Sequence, residues 1–398
     1  MLLIRLILGY LLFFLSALSA ADESSFAACA RGLGDKAVAA GVDAALVRGV
    51  VAELAPLERV IALDRKQPEF VQTFAKYLET RVTAARVREG QRLMTEHRDF
   101  LQRLLAEYGV PPRYLLAFWG LETNYGSYLG KIPTLNALAT LACDPRRSSF
   151  FAEEFVDALR LAQRESLPPM ALQGSWAGAV GHTQFMPSSY LRHAVDGDGD
   201  GQIDLWRSER DALASGANFL RNLGWRLGER WGRQVQLPAA FPYELTGLHE
   251  RKSLGFWSAQ GVTRADGGPL PDVPLQGSIL LPAGHRGPAF LIYENFRVAM
   301  RWNQSQSYAL SVGLLADQLV GMPSLNARRM AGDTLAKADL EIAQTTLNKL
   351  GYDAGKPDGI LGSQTRSALR AFQKDNALPA DAYPDATTLA ALKAHALP

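Results

Sequence analysis

The stretch Val110-Pro-Pro-Arg-Tyr-Leu-Leu-Ala-Phe-Trp-Gly-Leu-Glu-Thr-Asn-Tyr-Gly126 reads as one apolar helix that carries a single carboxylate, Glu122. Pro111 and Pro112 suit its first turn, where a missing N–H is harmless and a fixed φ helps. Leu115, Phe118, Trp119 and Glu122 then recur at i, i+3, i+4 and i+7, so the acid shares a face with the residues expected in the core. A stop near Asn124-Tyr125-Gly126 leaves Glu122 in the last turn, where the helix dipole disfavours negative charge. Desolvation and the helix end both favour the protonated form. A raised pKa is therefore expected, together with the capacity to hand a proton to a leaving group near neutral pH. The competing reading is a structural carboxylate whose stem packs on Trp119 while its head reaches water or an arginine.

Upstream, Met1 to Arg5 carries one cation, Leu6 to Leu18 is almost wholly apolar, and Ser19-Ala20-Ala21 precedes the polar Asp22-Glu23. This is the pattern of a secretory signal peptide over residues 1–21, cut after Ala21. An uncleaved anchor from Leu2 to Leu18 is the alternative, though the apolar run falls short of the roughly 20 residues a membrane span wants. Cys29 follows Phe26-Ala27-Ala28, only a loose likeness to an acylation site, and Asp22, Glu23, Ser24 and Ser25 interrupt the apolar run before it. The chain is expected to be exported, either soluble or weakly membrane-associated, and monomeric.

Composition is that of a globular protein, 47% hydrophobic and 21% charged with a net charge of +2, and it gives no reason to expect nucleic acid as a partner. Cys29 and Cys143 are the two cysteines. In an exported chain a disulfide between them is permitted, two buried thiols are the alternative, and a metal site is not indicated.

Residues 22 to 110 carry helical spacing: Leu46, Val50, Val51 and Leu54; Phe70, Phe74, Tyr77 and Leu78; then Leu93, Phe100, Leu101, Leu104 and Leu105 among Arg and Glu. Phe150 to Leu161 and Asp211 to Leu223 add amphipathic helices. From Val235 to Tyr293 the texture becomes short Val, Leu and Ile runs split by Pro and Gly, which predicts a few short strands packed on the helical body.

Gly174-Ser-Trp-Ala-Gly-Ala-Val-Gly-His-Thr-Gln-Phe-Met-Pro-Ser-Ser-Tyr190 places three glycines where backbone could approach a ligand closely. Ser175, Gln184, Ser188 and Tyr190 are neutral hydrogen-bonding types that suit sugars; the plain alternative is a glycine-rich connector. Together with Gly120-Leu-Glu-Thr-Asn-Tyr-Gly126, Asp144-Pro-Arg-Arg-Ser-Ser-Phe-Phe151 and Asn295-Phe-Arg-Val-Ala-Met-Arg-Trp-Asn303, it resembles the active-site motifs of the lytic murein transglycosylases of the B type. The likeness covers most of residues 30 to 320.

That resemblance implies a mainly α, lysozyme-like catalytic domain over residues 22–325, with a small β and loop subregion. It implies cleavage of the β-1,4 bond from N-acetylmuramic acid to N-acetylglucosamine in peptidoglycan glycan strands, in the periplasm of a Gram-negative bacterium. The reaction is non-hydrolytic: the muramyl C6 hydroxyl closes on C1 to leave a 1,6-anhydro end, so one carboxylate serves as acid and then as base, where hydrolytic glycosidases use two. No catalytic cofactor is implied. Carried over by motif position, Glu122 is the acid/base; Tyr125, Ser175 and Gln184 line the cleft; Arg146 and Arg147 hold acidic groups of the substrate; Asn303 and Tyr308 close the site. An exposed helix-start pair is the rival reading of the two arginines. His182 stands where a tyrosine or small polar residue is expected, and Trp302 replaces the usual tyrosine before Asn303; either ring could stack on a sugar.

Asp196-Gly-Asp-Gly-Asp-Gly-Gln-Ile-Asp-Leu-Trp-Arg207 reproduces the front of an EF-hand loop, with Asp at positions 1, 3 and 5 and Gly201 at position 6. A structural Ca2+ is expected on Asp196, Asp198, Asp200, the Gln202 carbonyl and Asp204, although Arg207 stands where the bidentate acid belongs. The rival is an acidic turn before a helix capped by Asp211.

Residues 333–398 form a second unit, with helices expected over Ala338–Leu350, Ser363–Asn376 and Thr387–His395. Ile360-Leu-Gly-Ser-Gln-Thr-Arg-Ser-Ala-Leu-Arg-Ala-Phe-Gln373 after Asp358-Gly359 resembles the three-helix peptidoglycan-binding domain of wall hydrolases. Leu369 and Phe372 are its expected core. Against the transglycosylase stand two other readings, a lysozyme-type muramidase and a non-catalytic wall-binding protein. A pure binder has no use for a buried acid, which costs stability.

Overall fold

The structure is a computed structural model that describes residues 24–64, 72–146, 148–325 and 336–396. The expected signal peptide, Phe70 and Arg147 lie outside them. Two compact units divide the chain, one of residues 1–66 and 122–219, the other of residues 67–121 and 220–398.

In the first unit the helix Thr134–Ala142 is buried at all nine positions. Its sequence explains why: Leu135, Leu138 and Leu141 fill space while Ala137, Ala139 and Ala142 let neighbours approach from the other sides. Two of its polar side chains serve the turn that precedes the helix Glu58–Asp64. Asn136 Nδ2 donates to Ala55 O (3.1 Å), and Thr140 Oγ1 accepts from Leu57 N (2.9 Å) while donating to Asn136 O (2.7 Å). Around it pack the helices over residues 24–39, Ala44–Glu53, Glu58–Asp64 and Ser148–Arg164, which contribute Leu33, Val47, Val50, Val60, Phe151 and Phe155 to one core. The cysteine pair resolves as a disulfide. Cys29 of the first helix joins Cys143 at the end of Thr134–Ala142, with Cα atoms 6.0 Å apart and a sequence separation of 114. A short ribbon, β1 (Ile132–Pro133) against β2 (Gln173–Gly174), completes this unit.

The second unit opens with helices Phe74–Arg81, Ala84–Glu96 and Arg98–Tyr108, the last ended by Gly109 at φ +72°. The helix Pro112–Thr123 follows, and the division between units falls within it. Every residue from Tyr114 to Leu121 is buried, so the expected single apolar face is too narrow: Tyr114, Leu116, Ala117 and Leu121 are enclosed as well. That is the behaviour of a helix apolar on all sides. The Val235–Tyr293 region is an antiparallel five-stranded sheet in the order β4-β6-β7-β3-β5, where β3 is Gly232–Gln236, β4 Lys252–Ser253, β5 Thr263–Arg264, β6 Gln276–Leu280 and β7 Ala289–Ile292. The central β7 reads Ala-Phe-Leu-Ile without alternation because both faces are covered. Leu291 faces a core with Trp257 and Ile279, while Phe290 meets Phe74 and Trp231.

The C-terminal helices run Lys337–Lys349, Ser363–Asp375 and Ala386–Ala396 around their own core of Leu347, Leu369, Phe372 and Leu392. Two buried glutamines staple its loops. Gln344 donates to Ile360 O (3.1 Å) and Thr365 Oγ1 (3.0 Å) while accepting from Gly359 N (2.8 Å). Gln373 donates to Asp381 Oδ1 (3.0 Å), Tyr383 O (2.9 Å) and Thr388 Oγ1 (3.1 Å). The motif residues Gly359, Thr365 and Gln373 are thus parts of the module's internal scaffold.

Candidate active site

Glu122 is half-buried and occupies the last turn of the helix, which ends at Thr123. Three consecutive residues then take left-handed backbone: Asn124 (φ +50°), Tyr125 (φ +58°) and Gly126 (φ +81°). Glycine adopts this freely, but Asn124 and Tyr125 hold it against steric preference, and such strain collects at functional sites. The surroundings fix the turn. Thr123 Oγ1 accepts from Gly126 N (3.0 Å) and donates to His182 O (3.0 Å), and Tyr128 N donates to Thr123 O (3.0 Å). A Cβ on Gly126 would stand 2.2 Å from His182 Cε1, so only glycine fits there.

The glycine-rich segment lies directly against this turn. Gly130 lacks room for a Cβ, which would meet the Gly174 carbonyl oxygen at 2.1 Å, and Gly174 is pressed in the same way on Ala179 O. Ser175 closes a small loop: its N–H donates to Ala179 O (2.8 Å) and its Oγ accepts from Ala179 N (3.1 Å). Gln184, itself at φ +49°, donates from Nε2 to Leu129 O (3.1 Å) and Gly181 O (2.9 Å), which ties the two segments and decides which end of its amide serves the backbone. Glu122 at the helix end therefore stands beside two interlocked loops that carry Tyr125, Ser175 and Gln184, with Tyr125 buried and the other three half-buried.

Several of the residues singled out in the sequence have internal partners. His182 is buried beneath Gly126 instead of offering a face to sugar, and burial holds its imidazole below the ordinary value, hence neutral. Tyr190 is fully buried and donates its hydroxyl to Ile203 O (2.6 Å). Ser188 gives its N–H (2.9 Å) and hydroxyl (2.6 Å) to Glu154, a buried carboxylate raised by desolvation. Glu154 had no marker in the sequence, since it sits on an ordinary amphipathic stripe. Arg146 is taken up by internal ion pairs, both at 2.8 Å, with Asp64, whose side chain is almost fully buried, and with Asp144. It ties the end of the helix Glu58–Asp64 to the 144–146 turn. In the second unit, Trp302 packs on Phe118 with ring centroids 4.6 Å apart. Tyr308 is buried near the same ring, and Asn303 ends the helix Glu294–Trp302.

The acidic loop gathers a different set from the one expected. Asp196, Asp198 and Asp211 can bring carboxylate oxygens within 4.8 Å of one another. Asp200 instead accepts from Gln202 N (2.8 Å), and Asp204 accepts from Trp206 N (2.9 Å) and Arg207 N (3.0 Å), so it caps the following turn. Asp211 accepts from Gly197 N and Asp204 N, both at 2.8 Å; burial raises its pKa and the charge of Asp198 adds to the rise. Three converging carboxylates, one of them desolvated, are a donor set that suits a hard cation.

Residues 25–317 match the family model of the transglycosylase SLT domain, and residues 337–392 match that of a peptidoglycan binding domain. The chain is 36% identical over 243 residues to membrane-bound lytic murein transglycosylase B of Escherichia coli, a stretch that is 60% of this chain and 64% of that protein. Among solved structures, SltB3 of Pseudomonas aeruginosa in complex with NAG-anhNAM-pentapeptide superposes with a TM-score of 0.85 at 42% identity, covering 92% of this chain and 99% of that one. Slt35 of E. coli in complex with calcium superposes with a TM-score of 0.64 at 33% identity, covering 73% and 92%.

Proposed function

The chain belongs to the transglycosylase SLT family, and on that premise we propose that it is a peptidoglycan lytic transglycosylase in which Glu122 is the one acid/base. Protonated Glu122 gives its proton to the glycosidic oxygen as the bond from muramic acid C1 breaks. The resulting carboxylate then takes the proton of the muramyl C6 hydroxyl as that oxygen closes on C1. The two transfers balance, and no water is consumed. The observation that carries this reading is the strained Asn124-Tyr125-Gly126 turn after Glu122, locked to the loop that bears Ser175 and Gln184. Strain held by such an interlock keeps a proton donor in place without rearrangement during reaction. Tyr125, Ser175, Gln184, Asn303 and Tyr308 are assigned to substrate. Arg146, engaged by Asp64 and Asp144, is assigned to the scaffold.

Within this proposal the catalytic domain spans 22–325 and the wall-binding domain 333–398, the chain is exported to the periplasm, and a structural Ca2+ sits on Asp196, Asp198 and Asp211. The calcium complex of Slt35 and the convergence of those carboxylates support the last point. Digestion of purified sacculi followed by mass spectrometry tests the chemistry. Anhydro ends, one water lighter than reducing ends, are expected from the native protein, and Glu122→Gln is expected to lower their release at least 100-fold, within the range that general acid–base catalysis supplies. Reducing ends would mean hydrolysis. An unaltered rate in Glu122→Gln would remove the proposed acid.

A further inference from the structure

A cavity of about 140 Å³ lies where the helix Ser363–Asp375 of the C-terminal module faces the 246–249 turn and the end of β6. Arg366 and Arg370 both line it, four residues apart on one helix and so on one face. Among the described residues neither forms an ion pair. Arg370 reaches Thr246 Oγ1 only at 3.4 Å, and its Nε is buried without a hydrogen-bond partner. A buried donor left unmade is costly, and two like charges at this spacing repel. Desolvation holds the Arg366 guanidinium down to about 10, with the charge of Arg370 acting in the same direction.

The lining also holds one carboxylate, Asp381, but its oxygens are occupied elsewhere. Oδ2 accepts from His285 N (2.8 Å) and lies 2.7 Å from His285 Nδ1; Oδ1 accepts from Gln373 Nε2 (3.0 Å) and Tyr383 N (2.9 Å). Within the lining two cations face one anion, while Glu250 and Glu244 act on Arg370 from outside it, so the local excess of positive charge is small and suits a monoanion at most. Leu248, Leu280, Leu281 and Ala382 supply apolar wall. The volume is close to the roughly 150 Å³ that accommodates a benzene-sized molecule, so an acid group with a short aliphatic part fits. His249 and Ser363 at the rim are exposed, and the cavity can be reached from solvent.

We infer that this cavity binds a small carboxylate, its oxygens held by the Arg366 and Arg370 guanidinium groups and its aliphatic part laid against Leu280 and Leu281. Planar guanidinium donors suit a carboxylate, and the orphaned Arg370 Nε would gain its missing acceptor. The source of the acid rests on the reading of the chain as a peptidoglycan enzyme. It is either the free terminus of a stem peptide or the lactyl acid of a muramic residue stripped of its peptide.

Calorimetric titration of the full chain with N-acetyl-D-alanine, N-acetylmuramic acid and the neutral N-acetyl-D-alanine amide tests the inference. At least one acid is expected to bind with a Kd on the order of 1 mM, the amide at least tenfold more weakly. Arg366→Gln combined with Arg370→Gln is expected to weaken the acid at least tenfold with no fall in melting temperature, because the pair repels and one of its donors is unmade. Whichever acid binds names the source. If neither acid binds the native chain more tightly than the amide does, or if the folded double variant binds the acid undiminished, the inference is overturned. The native titration decides even should the variant fail to fold. Anhydro-sugar release measured on the same preparations separates the two readings, because a silent cavity beside an active Glu122 overturns the site alone.

Discussion

His182 shows how a residue outside the chemistry can shape the site. Its backbone oxygen accepts from Thr123, its ring fills the space that a side chain at position 126 would need, and burial keeps it uncharged. The sequence marked the position as a departure from the family pattern and suggested a sugar-stacking ring. Nothing local could have revealed that Gly126, 56 positions earlier, is the ring's neighbour. The sign of its pH effect follows from the depressed pKa: as pH falls below the ordinary value of 6.5 the unfolded chain takes up a proton that the folded chain refuses. Its contribution to stability is therefore present above 6.5 and lost as pH falls toward the folded pKa. Chemical denaturation at pH 7.5 and pH 5 is expected to show a smaller drop for His182→Gln than for the native protein, and an identical drop in both would remove His182 from the account. The position of Glu122 in the last turn of an apolar helix, by contrast, was legible from its own neighbours, since a lone acid in such a run needs no tertiary information to be noticed.

Among elements, the acidic loop shows where pattern reading stops. Positions 1 and 3 of the EF-hand-like stretch, Asp196 and Asp198, do converge, but the third carboxylate comes from Asp211 in the first turn of the helix Glu209–Asn222. The loop register put Asp200 and Asp204 in that place. Both accept from backbone N–H groups of their own turns, as Asp196 also does from Gly199 N and Gly201 N, so it is the approach of the Asp211 carboxylate and not hydrogen bonding that sets the converging group apart. Arg207, at position 12, is the departure from the EF-hand pattern that the sequence itself displays. Three carboxylates this close repel one another, and desolvation at Asp211 adds to the cost, so a bound cation should stabilise the fold. At a calcium concentration about 100-fold above Kd the gain is about 2.7 kcal/mol, which raises the melting temperature by several degrees for a unit of this size. Thermal unfolding with and without millimolar calcium checks it. Asp211→Asn is expected to abolish the rise while Asp200→Asn keeps it, and the opposite ranking would restore the EF-hand register.

Across the whole molecule, the two-domain reading came from motifs, and the structure explains why the C-terminal motif was readable. Gly359, Thr365 and Gln373 are internal staples whose spacing is set inside one small module with its own core. The seam between that module and the five-stranded sheet could not be read, because its partners are far apart in sequence and unremarkable singly. His285 pairs with Asp381 at 2.7 Å, and Arg286 approaches Asp385 at 3.7 Å. Polar groups of this kind return to water at little cost when a domain is removed, unlike a large apolar interface. Deleting residues 333–398 should therefore leave the remainder folded and able to cleave soluble glycan fragments at close to the native rate. Loss of a tethered wall-binding module lowers the local enzyme concentration at an insoluble substrate without altering the chemistry. Pelleting with sacculi is expected to fall at least tenfold, and turnover of intact sacculi to fall with it. A truncated chain that is folded by circular dichroism yet loses soluble and insoluble turnover equally would mean that the module takes part in catalysis itself, and that the separation of binding from bond cleavage is wrong.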